Sequence, residues 1–497
     1  MDLYGFLFSS FLLLTSYIFI EIAKRFIMII QNKKKKLPPG PIGFPLIGSL
    51  LSLGDQSHES LTNLAKIYGP LMTVRLGFVN VVVASSAEMA KEILQTNGMA
   101  FMGRHIPDAV TAEKGYNLAL PWLPIGPQWK KLRKICNTQI FSHQKLDGLQ
   151  DLRNKMMENM IERVVEAREA KEAIDIGRLV FVTSVQLLSN TIFSIDILHP
   201  NSNDMKELHL LTTNIMLLVG KPNLGDYFPF LKPFDLQRIR REIKVSYDRL
   251  HELVDDMIDR HMKNRNFGLD HRHGDLLDVL LDFTEMEGAE GLTRMDVKLL
   301  IVEFFIAGTE PISTTVEWAM AELLQNPTIY SKTKQELEHK IPSGRTVQEQ
   351  DLPRLPYLMA VIKETMRLHT TAPFLLPHRA EQDVEICGYT IPKNTRVLVN
   401  AWSISKDPLY WDAPTIFKPE RFMNLDITDF RSKDLSFMPF GAGRRICAGM
   451  NLAVRMESLI FATLVQKFDW KLPNGIAMGE KFGITLKKAE PLIAMPV

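Results

Sequence analysis

The sequence predicts a mainly α-helical fold with a small β portion, preceded by an N-terminal transmembrane helix. Three observations support this prediction: helical periodicity dominates the middle of the chain, β-like runs are few and short, and the first residues form an uncharged apolar run. The 497 residues are 46% hydrophobic, which is ample for a large buried core. Beyond residue 45 the sequence has no internal repeat, low-complexity linker or shift in composition, so residues 46–497 are expected to form one domain.

Residues 1–25 have the features of a membrane anchor. No charge occurs from Leu3 to Ile20, and about 20 apolar residues are enough to span a bilayer as a helix. Lysines 33–36 follow the run and only Asp2 precedes it, which places the C-terminal side in the cytosol. A cleaved signal peptide is the competing interpretation, but it would need a basic start and a small-residue cleavage site, and both are missing.

Residues 26–45 form a basic, proline-rich segment that we interpret as a stiff hinge, since proline prevents the anchor helix from continuing. The whole chain is nearly balanced in charge, at +2, so nothing global points to nucleic acid. Its three cysteines, Cys136, Cys387 and Cys447, are far apart in sequence, which disfavours a disulfide framework or a zinc ribbon. This cysteine usage fits a reducing compartment.

Several elements can be placed in order. Residues 71–76 and 81–83 read as short strands, with a possible turn at Asn80. Residues 235–263 read as an amphipathic helix and residues 268–275 as a solvated loop, although two histidines there leave a metal tract open. A long helix is expected from about Thr293 to Gln325, because a capping-box-like start precedes an apolar stretch and Asn326-Pro327 follows it.

Residues 440–449, Phe-Gly-Ala-Gly-Arg-Arg-Ile-Cys-Ala-Gly, carry the strongest chemical signal. Their spacing resembles the haem-binding signature of the cytochrome P450 superfamily, in which the cysteine thiolate is the axial ligand of the iron and donates electron density to it. The resemblance makes Cys447 the metal ligand and the central catalytic residue. Phe440 would pack near the sulfur, and Arg445 would pair with a haem propionate. A buried structural cysteine in a glycine-rich turn is the alternative.

Further motifs follow the order of the same family. Glu364 and Arg367 match its Glu-x-x-Arg, and Arg421 matches the arginine that completes a structural Glu–Arg–Arg cluster. Trp129 and Arg133 match its Trp-x-x-x-Arg, whose four-residue spacing puts both side chains on one helix face, within reach of a propionate.

Two more propionate contacts, His378 and Arg104, are implied by position in the family. A surface arginine at 104 is an open alternative. The resemblance covers essentially the whole chain, and its details are similar to plant microsomal members that include geraniol hydroxylases and abietane diterpene oxidases. It implies haem b (iron protoporphyrin IX), and NADPH supplied through NADPH–cytochrome P450 reductase. It also implies an endoplasmic reticulum membrane location, with contact to membrane lipid and a cytosolic catalytic domain.

One departure from the family concerns proton delivery. The distal helix of the family carries a threonine after its acid, and here that position is Pro311. A proline inside a helix ordinarily costs about 3 kcal/mol, unless the helix is already opened there. Glu310 and Thr309 are therefore named as catalytic candidates, with Glu310 expected to face away from the haem and to exchange protons through water.

The leading function is NADPH-dependent hydroxylation of a small apolar substrate, a mono- or diterpenoid. The resemblance implies, by position in the family, that the pocket walls come from residues 101–122, 208–221, 301–309, 371–377 and 482–485, and these segments are strongly apolar here. Pro311 keeps open a haem-thiolate isomerase or dehydratase that needs no external electrons. A third possibility is a non-catalytic haem sensor, which needs no basic surface for a reductase; the sequence offers such a surface at Lys130, Lys131, Lys134 and Arg444.

Overall fold

The computed structural model of the protein describes residue 16 and residues 36–194, 202–267, 275–285, 291–423, 430–431, 434–473 and 475–497. Helices dominate this part of the chain and four small sheets accompany them, which confirms the predicted fold class. The predicted anchor, residues 1–25, lies outside the described residues apart from residue 16, and so do residues 268–274 of the predicted loop.

The α-helices are named in chain order. They are α1 (Ser57–Tyr68), α2 (Ala87–Lys91), α3 (Pro127–Ile135), α4 (His143–Gly148), α5 (Gln150–Ala170), α6 (Ile176–Phe193), α7 (Asn203–Gly220), α8 (Leu224–Tyr227), α9 (Ile239–Phe267), α10 (Leu276–Glu285), α11 (Arg294–Ala307), α12 (Glu310–Gln325), α13 (Pro327–Lys340), α14 (Pro356–Leu368), α15 (Ala401–Ser405) and α16 (Met450–Lys467).

The strands form one five-stranded sheet in the order β1-β2-β8-β5-β3 and three smaller sheets, β4-β12-β9, β6-β7 and β10-β11. They are β1 (Leu71–Leu76), β2 (Val79–Ala84), β3 (Gly103–Arg104), β4 (Ile174–Asp175), β5 (His378–Arg379), β6 (Val384–Ile386), β7 (Tyr389–Ile391), β8 (Arg396–Val399), β9 (Trp470–Lys471), β10 (Glu480–Lys481), β11 (Lys487–Lys488) and β12 (Ile493–Pro496).

The hairpin between β1 and β2 corrects one detail of the sequence prediction. Leu76 pairs with Val79, so the turn consists of Gly77 and Phe78, and Asn80 lies inside β2 opposite Arg75. Gly77 has a φ of +59°, a conformation that glycine adopts without steric cost. The turn signal was therefore the glycine and not the asparagine.

Helix α9 confirms the predicted amphipathic helix, with bounds shifted by four residues at each end. The six residues of the predicted stripe are all buried: Ile239, Ile243, Tyr247, Leu250, Leu253 and Met257. All of them except Leu253 belong to the main hydrophobic core, together with residues of α6, α11, α12 and α16.

The single long helix predicted over residues 293–325 is wrong in one respect, because the structure divides it into α11 and α12. Thr293 and Asp296 form the expected capping box and Gln325 is the last residue of α12. The break falls at Gly308 and Thr309, which places Pro311 in the first turn of α12. In that turn the backbone N–H has no intrahelical partner, so the proline avoids most of its usual cost.

Two stretches within the described residues are long and apolar enough to cross a membrane, Ile176–Phe193 and Arg294–Gln325. In the folded protein, 83% and 78% of the most apolar parts of these two stretches are buried, as expected for core helices. They therefore do not stand in for the anchor predicted at residues 1–25.

Candidate active site

A tight loop presents Cys447 immediately before α16. The backbone N–H of Cys447 donates to the carbonyl of Phe440 at 3.0 Å, which closes the loop. Gly441 and Gly443 both have φ of +70°. A Cβ on Gly443 would lie 2.1 Å from the carbonyl oxygen of Leu94, so the close approach of this neighbouring segment requires glycine.

The surroundings of the Cys447 sulfur act in opposite directions on its charge. Burial raises the pKa of the thiol, while the backbone N–H groups of Gly449 and Met450 and the positive charge of Arg133 lower it. The two amides open α16, and a helix N-terminus stabilises negative charge. The sulfur is enclosed by protein yet keeps accessible surface, so it faces an interior space.

The other predicted cofactor contacts lie around the same space. Arg104 donates to the carbonyl of Leu376 at 2.7 Å, and its Nη1 lies 3.1 Å from Nε2 of His378. The guanidinium of Arg445 lies 5.4 Å from the ring centroid of Trp129, and Arg133 is close enough to affect both Arg445 and the cysteine. The structure thus brings all the predicted contacts together, although they come from distant parts of the sequence.

These arginines are short of negative partners. Burial and the neighbouring charge of Arg445 lower the pKa of Arg104 to about 9, and burial lowers that of Arg445 to about 10. In the part of the chain that the structure describes, no carboxylate forms an ion pair with Arg104, Arg133 or Arg445, and Nε of Arg104 has no hydrogen-bond partner. A ring bearing two carboxylates beside an iron, as in iron protoporphyrin IX, fits this donor set.

His378 has a more indirect position than the sequence suggested. Burial and the nearby Arg104 lower its pKa to about 3, so the ring is neutral. Nδ1 lies 2.8 Å from the carbonyl of Phe101, to which it donates, and this leaves Nε2 to accept from Arg104. Both ring nitrogens have partners within the protein, and through Nε2 His378 orients Arg104.

The Glu–Arg–Arg cluster lies behind the cysteine loop. Glu364 and Arg367 are fully buried and joined by two hydrogen bonds of 2.7 and 2.8 Å. Arg421 adds a contact of 3.0 Å to Glu364. Arg367 also donates to the carbonyls of Ser405 and Pro414, so the cluster fixes the segments that lead to the cysteine loop.

The distal candidates Thr309 and Glu310 are both buried. Thr309 is fully buried and its hydroxyl donates to the carbonyl of Phe305 at 2.6 Å. Nζ of Lys487 donates to Oε1 of Glu310 at 3.1 Å. Burial raises the pKa of Glu310, and the charge of Lys487 opposes that rise. Lys487 is itself partly exposed, so Glu310 has a titratable partner that reaches the protein surface.

Four of the five predicted wall segments come together in a small apolar cluster. Val110, Ala119 and Trp122 pack there, and one residue from each of three other predicted segments contacts them: Val219, Leu376 and Ile484. None of the described residues 301–309 belongs to this cluster. Not every predicted wall residue faces this space, because Phe101 and Phe305 lie in fully packed parts of the core. The sequence alone does not show whether an apolar residue in a wall segment faces the pocket or the packed core.

Two sets of polar residues were missed by the sequence interpretation. Lys487 lies 177 positions from its partner Glu310, and no local motif marks it. Glu113 is a buried acid and Glu303 a partly exposed one, and both have raised pKa values. In the sequence, Glu303 stands out only as an acidic residue within the otherwise apolar part of a predicted central helix, one turn before Ala307.

Comparison with known proteins agrees with this geometry. Residues 38–492 match the family model described as Cytochrome P450. Geraniol 8-hydroxylase from Swertia mussotii is 46% identical over 471 residues, covering 94% of each chain, and drimenol monooxygenase from Persicaria hydropiper is 41% identical, covering 94% of this chain and 93% of the other. A zebra fish cytochrome P450 solved with abiraterone superposes with a TM-score of 0.75 at 26% identity, covering 89% of this chain and 99% of that one.

The chain therefore belongs to the cytochrome P450 family. It is a haem-dependent monooxygenase that takes electrons originating from NADPH through a redox partner and acts on an apolar substrate. This assignment favours the monooxygenase over the isomerase and sensor alternatives raised by the sequence.

Proposed function

We propose that this cytochrome P450 hydroxylates a terpenoid, with Cys447 as the axial ligand of the haem iron. The observation that carries the proposal is the enclosed Cys447 sulfur at the start of α16, beside three arginines that lack carboxylate partners. Arg104, Arg133, Arg445 and Trp129 would hold the propionates, with His378 positioning Arg104.

The terpenoid assignment rests on the relatives and on the apolar walls. Relatives named for terpenoid oxidation include geraniol 8-hydroxylase, drimenol monooxygenase and ferruginol synthase from Isodon rubescens, the last 40% identical over 472 residues. Apolar side chains from four separate segments can enclose such a molecule. The reaction inserts one oxygen atom of O₂ into a C–H bond, and the other leaves as water with two protons and the two electrons of NADPH. Bound haem supplies the oxygen activation.

The redox partner that we propose is NADPH–cytochrome P450 reductase. Lys130, Lys134 and Arg444 are exposed on the cysteine side of the molecule and offer a basic surface to an acidic flavoprotein. Lys131 does not belong to that surface, because it is half-buried and its ammonium donates to the carbonyl of Gly291.

We propose an endoplasmic reticulum location with residues 1–25 as the anchor, 26–45 as the hinge and 46–497 as the cytosolic enzyme. A second apolar contact with the membrane is supported by exposed side chains in two adjoining segments, Phe44 and Leu46 in one and Phe234 and Leu236 in the other. The β1–β2 turn contacts both stretches, since the backbone N–H of Gly77 donates to the carbonyl of Ile47 at 3.0 Å and the ring of Phe78 packs against Phe230, which shares a short helix with Phe234. Removing residues 1–24 should therefore release the protein from membranes only partly; complete solubility without salt or detergent would contradict the second contact.

The decisive experiment is reconstitution of the full-length enzyme with a plant reductase, NADPH and a panel of mono-, sesqui- and diterpenes. Mass spectrometry should show products heavier by one oxygen, formed only with NADPH. A Cys447→Ser variant is the control for activity unrelated to the haem. NADPH-independent product of unchanged mass would instead identify an isomerase, and no product from any terpenoid would exclude this substrate class.

A further inference from the structure

Polar side chains from three elements meet beside the predicted pocket. Glu113 follows the turn at Val110–Ala112, His251 belongs to α9, and Glu303 belongs to α11. Nε2 of His251 lies 3.5 Å from Oε1 of Glu113. Glu113 is 3% exposed and His251 6% exposed, so both are inside the protein.

This group is incompletely hydrogen-bonded. Within the described residues, neither carboxyl oxygen of Glu113 and neither ring nitrogen of His251 has a hydrogen-bond partner. A buried polar atom without a partner costs about 1–3 kcal/mol, and proteins retain such atoms mostly where a ligand or water completes them. The neighbouring ammonium of Lys298 does not satisfy them, because it is paired with Asp255.

The surroundings of the group favour its uncharged forms. Burial raises the pKa of Glu113 to about 8, and burial together with the charge of Glu113 raises that of Glu303 well above its ordinary value. Burial also lowers the pKa of His251 to about 4. The uncharged forms of carboxyl and imidazole groups offer both hydrogen-bond donors and acceptors, which suits an uncharged polar group better than a cation.

Glu303 faces the interior space and not a packed interface. Glu303 and Ala307 lie one turn apart on α11, which places them on one side of that helix. Both keep accessible surface, while Phe304 and Phe305 between them are buried. The Glu303 carboxyl is nevertheless surrounded by protein, so this surface opens inward.

The loop that carries Glu113 links the group to the cofactor side. Val110 and Ala119 flank Glu113 in sequence and share the apolar cluster with Leu376. The carbonyl of Leu376 accepts the hydrogen bond from Arg104 described above. The pocket is thus apolar on the sides lined by this cluster and polar at Glu303.

We propose that Glu303, supported by Glu113 and His251, binds a hydroxyl group of the substrate, so that the enzyme prefers a terpenoid alcohol to the matching hydrocarbon. This inference rests on the proposed terpenoid function. A site that hydrogen-bonds a substrate hydroxyl rejects analogues without it, because its own polar groups are then left unpaired. Glu303 is the specificity-determining residue, and Glu113 is close enough to raise the pKa of its carboxyl.

The test is a spectroscopic binding titration of the full-length haem-loaded enzyme with four probes. These are geraniol, its methyl ether, geranylamine and 2,6-dimethylocta-2,6-diene, which lacks the oxygen. We expect geraniol to bind about tenfold more tightly than the hydrocarbon, which is the effect of one net hydrogen bond. Glu303→Leu should reduce this ratio to about one, while Glu303→Gln should retain most of it. Glu317→Gln, at a buried carboxyl on α12 that packs against Gly177, is the matched control and should leave the ratio unchanged.

The outcomes separate the two proposals. The unaltered enzyme could oxidise geraniol or 2,6-dimethylocta-2,6-diene and yet bind the two with equal affinity. That result overturns the hydroxyl contact but supports the terpenoid function. Tighter binding of geranylamine than of geraniol also overturns it, in favour of a cation site. Should Glu303→Leu fail to retain haem, the comparison of the four probes in the unaltered enzyme decides alone. No binding or oxidation of any probe or of the wider terpenoid panel overturns both proposals.

Discussion

The cysteine side and the distal side of the site treat buried charge in opposite ways. Behind the cysteine loop, the Glu364 carboxylate accepts from Arg367 and Arg421 within 3.0 Å, and the guanidinium of Arg367 also contacts backbone carbonyls. On the distal side, Oε2 of Glu310 and both oxygens of Glu113 are buried without hydrogen-bond partners among the described residues. The Glu364–Arg367–Arg421 cluster is satisfied within the protein, whereas the distal carboxyls keep atoms free to bind protons and ligands.

This difference explains why the two sides can vary independently. A fully paired cluster has one arrangement, and removing any member leaves an uncompensated buried charge. Substitutions in an incompletely paired group affect the stability of the fold less, but the group determines which ligands bind and how protons move. We therefore expect substitutions on the cysteine side to abolish folding or activity. Substitutions on the distal side should instead change substrate selectivity and the amount of product formed per NADPH.

The largest effect is expected from Cys447→Ser. An alcohol is a far weaker anionic donor than a thiol, so the variant should lose the thiolate-type absorption of its reduced carbon monoxide complex and essentially all hydroxylation. Cys387→Ser is the control, since Cys387 is exposed and distant in sequence from the site. Retention of the thiolate-type spectrum would mean that Cys447 is not the ligand.

Arg367→Ala should cost about 3–5 kcal/mol of unfolding free energy, because Glu364 would be left buried and only partly compensated by Arg421. Thermal unfolding and the fraction of protein that retains haem would measure this. Lys332→Ala removes an exposed ion pair with Glu420 and should cost less than about 1 kcal/mol. Equal losses in the two variants would show that the cluster does not support the cysteine loop.

The motifs on the cysteine side were predictable because each is local in sequence and demands particular residue types. Gly443 must admit a backbone oxygen, and Glu364 and Arg367 meet because they are three apart on α14. The distal side was less accessible, since the partner of Glu310 lies on β11 and the helix break depends on packing around Gly308. Periodicity predicted one helix because both halves share the same apolar pattern.

A tenfold effect is expected at the basic surface on the cysteine side. Lys130→Glu combined with Lys134→Glu should slow haem reduction by the reductase about tenfold at low salt and flatten its salt dependence. The same charge reversal at Lys206 and Lys263, which are exposed on α7 and α9, is the control for net charge. Unchanged reduction rates at low salt would remove Lys130 and Lys134 from the docking surface.

Pro311→Thr should change coupling by a few-fold without harming the fold. Position 311 lies in the first turn of α12, so the restored N–H needs no partner and the proline contributes only about 0.4–1 kcal/mol through the unfolded chain. Because Thr309 donates to Phe305, no hydroxyl from position 309 replaces the family's alcohol. We expect a hydrocarbon substrate to waste NADPH as hydrogen peroxide in the unaltered enzyme, and the new hydroxyl to raise product per NADPH.

Pro311→Val is the matched control, because valine has the shape of threonine without its hydroxyl. An equal gain with valine would assign the effect to backbone change. Tight coupling of the hydrocarbon in the unaltered enzyme would instead indicate that water delivers the protons, and would remove the need for a hydroxyl on the substrate.

The smallest effect tests whether buried carboxyls of the distal helices cost stability. Glu317 on α12 accepts from the backbone N–H of Leu492 at 2.8 Å, and burial raises its pKa to about 7. A carboxyl whose pKa is raised on folding adds stability at low pH, and this contribution is lost as the pH rises from the ordinary carboxyl pKa, near 4.5, through 7.

The variant Glu317→Gln keeps the acceptor but cannot ionise. Between about pH 6 and 8 the unaltered enzyme should therefore lose on the order of 1 kcal/mol more unfolding free energy than this variant. Glu338→Gln, on the exposed face of α13, should behave like the unaltered enzyme. Identical pH profiles for all three proteins would mean that the Glu317 carboxylate is compensated in place, and the contrast between the two sides of the site would then be confined to Glu113, Glu303 and Glu310.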